Sequence, residues 1–271
     1  MKKLIYIGLW IVAFAGAIVT MSFASRSHAA RKCGKLYVDI SPPGNHFFIR
    51  PEDIRELLSA HAMMPEGKSI SDIDVNGIEK LLLTHPAVES CDAFISIDGN
   101  VTVKIRQRNP VMRFMNYNGE SYYMDDKGKL MPWSEEYTAP LILVSGYFGD
   151  GYAAMQHIDF SKISADSALK TPTVLDDAWQ IVRKLEADSF LTAQITQVFI
   201  SPDEGIQLIP RIGSQSIVIG DIRDLDDKLY RLRLFYREGL GKTGSWNDYS
   251  KIDLQYKNQI VCTKKNNDHG Q

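Results

Sequence analysis

Residues 4–24 form one uncharged apolar run, preceded only by Met1, Lys2 and Lys3 and followed by a long polar remainder. At about 1.5 Å of rise per residue, a helix of this run reaches roughly 30 Å, the thickness of a bilayer's hydrocarbon core. One segment can therefore cross a membrane, and everything after it must fold in water. Two readings stand: a retained anchor over 4–24 with a cytoplasmic stub 1–3, or a cleaved secretory signal with a small-residue site at Ala24 or Ala29. The length of the run favours the anchor, and under either reading the bulk of the chain is exported. Counting Lys2 and Lys3 against Arg26, Arg31, Lys32 and Lys35 gives the opposite orientation, but a large domain translocates largely regardless of its flanking charges. Cys33 follows Ala30, Arg31 and Lys32 rather than a lipobox, so it is a juxtamembrane cysteine and no lipid site.

The exported part is long enough for two domains with real cores, since 44% of the 271 residues are hydrophobic and 24% charged. A formal net charge of −2, with basic residues scattered among acids, leaves no electrostatic footprint for nucleic acid. Three widely spaced cysteines, Cys33, Cys91 and Cys262, are too few for a disulfide framework.

Residues 36–107 read as a small α/β unit. Leu36, Val38 and Ile40 alternate as a strand should, and Pro42, Pro43 and Gly44 break it. Pro51, Glu52 and Asp53 suit the first turn of a helix whose apolar face is Ile54, Leu57 and Leu58, ending near His61. Asp74 caps a second helix with Ile78, Leu81 and Leu82 inward, stopped by Pro86. Strands over 88–96 and 101–106 then form a hairpin across Asp98, Gly99 and Asn100. The predicted order is β-α-α-β-β. Past Pro110 the pattern becomes strands and turns: a hairpin over 121–131, strands over 141–144, 194–200, 206–209 and 216–219, a helix over 173–189, and a last helix on Leu225, Leu229, Leu232, Phe235 and Tyr236. A final strand over 251–261 precedes a polar tail. The fold class is α+β, with an N-terminal transmembrane helix, the first domain over 36–109, a mixed β-sheet domain with flanking helices over 110–262, and the tail over 263–271.

The β-α-α-β-β unit directly after a single anchor resembles a POTRA domain. Residues 74–113, holding His85, Pro86, Ala87, Val88 and Glu89 and then the run from Val103 to Val111, resemble the same stretch of the FtsQ/DivIB family. So do Asn118, Gly119, Tyr122, Tyr123, Asp125 and Gly128 at the start of that family's β domain, and residues 249–259 at its terminal strand. The resemblance spans nearly the whole chain, and its overall texture is similar to Bacteroidetes-type members. The three-residue stub is shorter than many members carry, which argues against a cytoplasmic interaction here.

No catalytic constellation is legible. The six histidines show no metal-ligand spacing and the cysteines no paired motif. The glycines between Gly146 and Gly151 lack the lysine of a phosphate loop, and Asp125 with Asp126, or Asp226 with Asp227, sit adjacent rather than across a cleft. The expectation is no enzyme, no cofactor and no metal. Candidate residues are therefore binding residues. Alternation puts Ile252, Leu254 and Tyr256 on one face of the terminal strand, and an open edge there would offer unpaired backbone groups. The resemblance implies that FtsB, and with it FtsL, binds by strand addition near the last helix and strand, which here means Tyr236, Gly239, Trp246, Tyr249, Ile252, Leu254 and Tyr256. The competing reading makes Leu254 and Tyr256 plain core, with the edge capped by the tail. Arg106, Arg108 and Arg113 read as a solvated strand face.

By this resemblance the chain is a single-pass scaffold of the bacterial inner membrane at the division septum, N-terminus cytoplasmic and domains periplasmic. It would gather FtsB, FtsL and the septal peptidoglycan synthase. A POTRA-bearing component of outer-membrane protein export is the alternative, and an exported enzyme a third.

Overall fold

The computed structural model describes residues 10, 14–16, 31–41, 48–134, 138–149, 151–156, 158, 160 and 174–265. The expected anchor 4–24 lies outside the described residues except for 10 and 14–16, and so do the stub 1–3 and positions 266–271 of the expected tail. Among the described residues no helix is long and apolar enough to cross a membrane. Backbone contacts divide the chain into two units, 1–108 and 109–271.

In the first unit the order is β1 (Leu36–Ser41), α1 (Pro51–Ala60), α2 (Val75–Leu82), β2 (Val88–Ile95) and β3 (Val101–Gln107), the β-α-α-β-β succession expected. The sheet order is β1-β3-β2, with β1 parallel and β2 antiparallel to β3. Local signals place the helices. The Arg50 N–H donates to Asp53 Oδ2 at 2.7 Å, with Pro51 in the first turn of α1. The Gly77 N–H donates to Asp74 Oδ1 at 2.9 Å at the start of α2. A glycine inside α2 reads as a weakness in sequence, yet a Cβ there would lie 2.5 Å from Oδ2 of Asp74, the capping carboxylate, so the close cap favours glycine at this position. Val101, Val103 and Ile105 alternate into the core against Ile54, Leu58, Ile78 and Leu82, while Lys104 and Arg106 stay exposed on the helix-free face. Arg106 thus matches a solvated strand face. Arg108 does not, because its backbone N–H donates to Ala87 O and its Nε–H to Pro86 O.

The second unit runs β4 (Pro110–Met115), β5 (Ser121–Asp125), β6 (Leu130–Pro132), β7 (Ile142–Gly146), α3 (Tyr152–Met155), α4 (Val174–Glu186), α5 (Ser189–Gln194), β8 (Ile195–Ser201), β9 (Gly205–Pro210), β10 (Ser216–Gly220) and α6 (Leu225–Leu234). A π-helical turn (Phe235–Leu240), β11 (Tyr249–Asp253) and β12 (Val261–Lys264) follow. These strands make one nine-stranded sheet in the order β12-β11-β10-β9-β8-β7-β4-β5-β6. Three neighbouring pairs are parallel: β7/β8 and β10/β11, whose connections carry helices, and β4/β7, whose connection carries β5 and β6. One sheet face buries Phe114, Tyr122, Val144, Val198, Leu208, Ile217 and Ile252 with Ile181, Val182, Leu185, Leu229 and Leu232 of α4 and α6.

Three expectations need correction here. The helix predicted over 173–189 is α4, which ends at Glu186, and a second short helix, α5, follows it over Ser189–Gln194. The Asp188 carboxylate accepts the N–H groups of Phe190 and Leu191 at 3.0 and 3.2 Å and so starts α5 instead of extending α4. Residues 110–115, given no strand from sequence, form β4 between β5 and β7, and Arg113 there lies 4.0 Å from the Trp133 ring centre and donates to Ser121 Oγ, which overturns the solvated reading for this arginine. The predicted single strand over 251–261 is two strands, β11 and β12, separated by a turn, and β12 runs on through Lys264, into the stretch read as tail.

Candidate interaction surface

Helix α6 begins with Asp226 and Asp227 and ends with Arg231 and Arg233, a charge order that suits the helix dipole. Its buried side chains are Leu225, Lys228, Leu229 and Leu232. Lys228 is only 5% exposed, and its ammonium donates to Ile219 O at 3.0 Å, Asp221 O at 2.8 Å and Asp221 Oδ1 at 3.3 Å. Arg223 beside Asp221, together with Lys228, holds the Asp221 carboxyl down at about 2. Lysine thus pins the end of β10 to α6. Lys228→Met is expected to strand these oxygens and destabilise the second unit by about 2–3 kcal/mol, below the usual loss for a fully buried pair because Asp221 is partly solvated. A urea titration of the two proteins checks this.

After α6 the backbone widens into the π-helical turn, which delivers Tyr236 inward and brings Gly239 against the Phe235 ring, where a Cβ would sit 3.1 Å from Cδ2. Tyr236 is 1% exposed, stacks on Trp246 with ring centres 5.6 Å apart, and meets Phe190 edge-on at 5.7 Å. Its hydroxyl is enclosed near the amides of Gln194 and Gln215 with no hydrogen-bond partner, and burial pushes its pKa up. Phe235 and Tyr249 are tilted rings 6.2 Å apart.

The sequence-predicted residues therefore divide. Tyr236, Ile252 and Leu254 are core, Gly239, Trp246 and Tyr249 are half-buried around the aromatic cluster, and Tyr256 is half exposed. Tyr256 does not share a strand face with Ile252 and Leu254, because β11 stops at Asp253. The Asp253 carboxylate accepts the Gln255 N–H at 2.9 Å, and Asn258 takes a left-handed φ of 59°. Arg231 fixes the turn from below: its guanidinium donates to the carbonyls of Leu254, Tyr256 and Gln259.

The open edge is consequently β12 and not β11, which lies between β10 and β12. The Leu254 N–H donates to Val218 O, so the peptide groups of Ile252 and Leu254 face β10 and those of Lys251 and Asp253 face β12. Lys251 pairs with Thr263 and Asp253 with Val261. By alternation, the N–H and C=O of Cys262 and Lys264 point outward, away from the sheet. The opposite edge, β6, is three residues long and closes on Pro132, a blunt edge. Sequence reasoning missed Arg231 and the return strand. Asn258 followed by Ile260 and Val261 was the available turn signal.

Cys33, Cys91 and Cys262 are all free, and burial pushes the Cys91 thiol up to about 11 and the Cys262 thiol up as well, so neither supplies a ready thiolate. Among the described residues no group of three or more His, Cys, Asp or Glu is arranged to hold a metal.

A small β-α-α-β-β unit followed by a mixed sheet whose nine described strands run from β12 at one edge to β6 at the other defines a two-unit protein of the POTRA-plus-β-sheet class. Residues 31–106 match the POTRA-like domain family, and residues 109–263 match the family described as FtsQ/DivIB, C-terminal related. The chain belongs to the FtsQ/DivIB family. It is also similar to the cell division protein FtsQ of Rhodothermus marinus, 25% identical over 219 residues that cover 79% of this chain and 73% of that protein.

Proposed function

We propose that this chain is a scaffold of bacterial cell division that makes and breaks no bond itself. Residues 4–24 anchor it once in the inner membrane, residues 1–3 stay in the cytoplasm, and the domains over 36–109 and 110–262 work in the periplasm at the septum. The carrying observation is the backbone edge at β12, which no strand covers among the described residues and where Cys262 and Lys264 offer outward donors and acceptors. A strand from the periplasmic part of FtsB adds there, bringing FtsL and, through them, the septal peptidoglycan synthase. Half-exposed Tyr256 and Val261 flank the edge, and the buried Tyr236, Ile252 and Leu254 serve by holding it in place. The match of residues 109–263 to the FtsQ/DivIB family favours this over the export reading.

Controlled depletion, with a fluorescent fusion of the full chain imaged in the same strain, tests the proposal. Filaments with unfinished septa and midcell fluorescence are expected. Normal-length cells with a leaky outer membrane and uniform envelope signal would overturn it in favour of export.

A further inference from the structure

Six residues, 25–30, separate Ala24 from Arg31. The stretch that follows is fastened to one end of the first unit: Cys33 N–H donates to Lys68 O at 2.8 Å, Gly34 N–H to Gly99 O at 3.4 Å, Lys35 N–H to Asn100 Oδ1 at 2.9 Å, and Val101 N–H to Lys35 O at 3.0 Å. Seven Cα steps of at most ~3.6 Å each keep the Arg31 end of the unit within roughly 25 Å of Ala24. Whatever holds residues 4–24 therefore has this end as its nearest neighbour.

The chemistry of that end is amphipathic. Ile97, at the hairpin tip, is 89% exposed, and Tyr37 and Phe94 are 51% and 38% exposed. Register places Tyr37, Thr102 and Phe94 in one row on the helix-free face, a single step in from the strand ends at Leu36 and Val101. Lys35 is two residues before Tyr37 and shares its side of the strand. Arg31, Lys32 and Lys35 are exposed, and Lys104 lies over the Phe94 ring at 5.5 Å. Of the neighbouring acids, Glu66 is paired with Arg55 and accepts from Leu36 N–H, Asp98 accepts from the Asn100 amide, and the exposed Asp39 and Asp92 flank Lys104 in the next row of the sheet, further from the strand ends. Aromatic and apolar side chains with Arg31, Lys32 and Lys35 on the side nearest residues 4–24 are a composition that settles at a headgroup boundary over anionic lipid.

We propose that this end of the first unit docks on the surface of the bilayer that holds residues 4–24. Arg31, Lys32 and Lys35 meet anionic phospholipid headgroups, and Ile97, Tyr37 and Phe94 enter the boundary with the acyl region. Docking of this kind would fix the first unit at the membrane and not leave it swinging on a tether. The inference rests on the anchor reading given above, so its test separates the two.

The full chain is reconstituted into vesicles of phosphatidylethanolamine and phosphatidylglycerol, and an environment-sensitive thiol label is placed at Ile97→Cys or, for comparison, at Leu83→Cys. Leu83 is also exposed but lies at the other end, next to where Val88 meets Gln107. The buried Cys33 and the poorly ionised Cys91 and Cys262 leave the introduced thiol as the preferred target. The label at position 97 is expected to shift to the blue and be quenched by lipid-borne quenchers, whereas the label at 83 stays in water. Adding Arg31→Gln, Lys32→Gln and Lys35→Gln together should lower the docking constant roughly 100-fold. If the chain floats with vesicles in high salt and carbonate but the label at 97 is as wet as that at 83, docking is overturned and the anchor stands. Flotation lost in high salt, with the label at 97 immersed at low salt, overturns the anchor and supports docking. Absence of flotation at every salt concentration overturns both.

Discussion

Replacing Cys262 by proline is expected to weaken binding of the periplasmic segment of FtsB at least tenfold, about 1.4 kcal/mol, while leaving both units folded. The reason lies in which side of β12 the residue addresses. Thr263 and Val261 spend their peptide groups on β11, whereas the Cys262 N–H points off the sheet. Proline there removes one donor from the open edge and puts a ring where an incoming backbone must approach, yet breaks no ladder bond. Thr263→Pro is the contrasting variant, since it breaks the β11/β12 ladder and lowers stability together with binding. Proline at Leu254, which looks attractive from sequence, tests nothing about the edge: its N–H is bonded to Val218 O and its side chain is fully buried. Calorimetric titration of the full chain with an FtsB segment, beside circular dichroism of each variant, reads the result. Unchanged affinity in a folded Cys262→Pro protein would sink strand addition at β12.

Tyr236→Ala should cost the second unit about 3–5 kcal/mol, the range for deleting a buried aromatic ring. Tyr236 is nearly sealed, and its ring is the shared member of two aromatic pairs, one with Trp246 on the approach to β11 and one with Phe190 in α5. Its removal opens a cavity where the π-helical turn meets the core. Tyr236→Phe, in contrast, should change stability by less than about 1 kcal/mol in either direction, because the hydroxyl it deletes has no hydrogen-bond partner to lose. Denaturant midpoints followed by near-ultraviolet circular dichroism separate the two variants. Equal losses would mean that the hydroxyl, by way of the Gln194 and Gln215 amides, carries what is assigned here to the ring.

What the sequence disclosed and what it hid follow from the range of the forces involved. The cap at Asp74, the turn at Asp98 to Asn100 and the alternation of Val101, Val103 and Ile105 act over a few residues, and each is visible where it acts. The break after Asp253 is different. Leu254 and Tyr256 continue a perfectly good strand alternation, and what ends the strand is Arg231, more than twenty residues earlier, collecting three carbonyls of the turn. The family resemblance implies an edge at the stretch that forms β11, and among the described residues the strand at that edge is β12, one strand further out. Tyr236 and Leu254 are buried, yet in sequence an apolar residue beside an expected edge looks alike whether it points at a partner or at the core.

The sheet order also fixes when the docking edge can exist. Among the described strands β12 pairs only with β11; β11 lies parallel to β10, and the connection between those two strands runs through α6, with Lys228 and Arg231 fixing it to the sheet. The β12 edge therefore depends on α6: a copy whose α6 has not settled on the sheet lacks the β11 pairing against which β12 is formed. Recruitment through β12 would read the maturity of the whole second unit, so that immature copies are left out of the division site without any separate inspection.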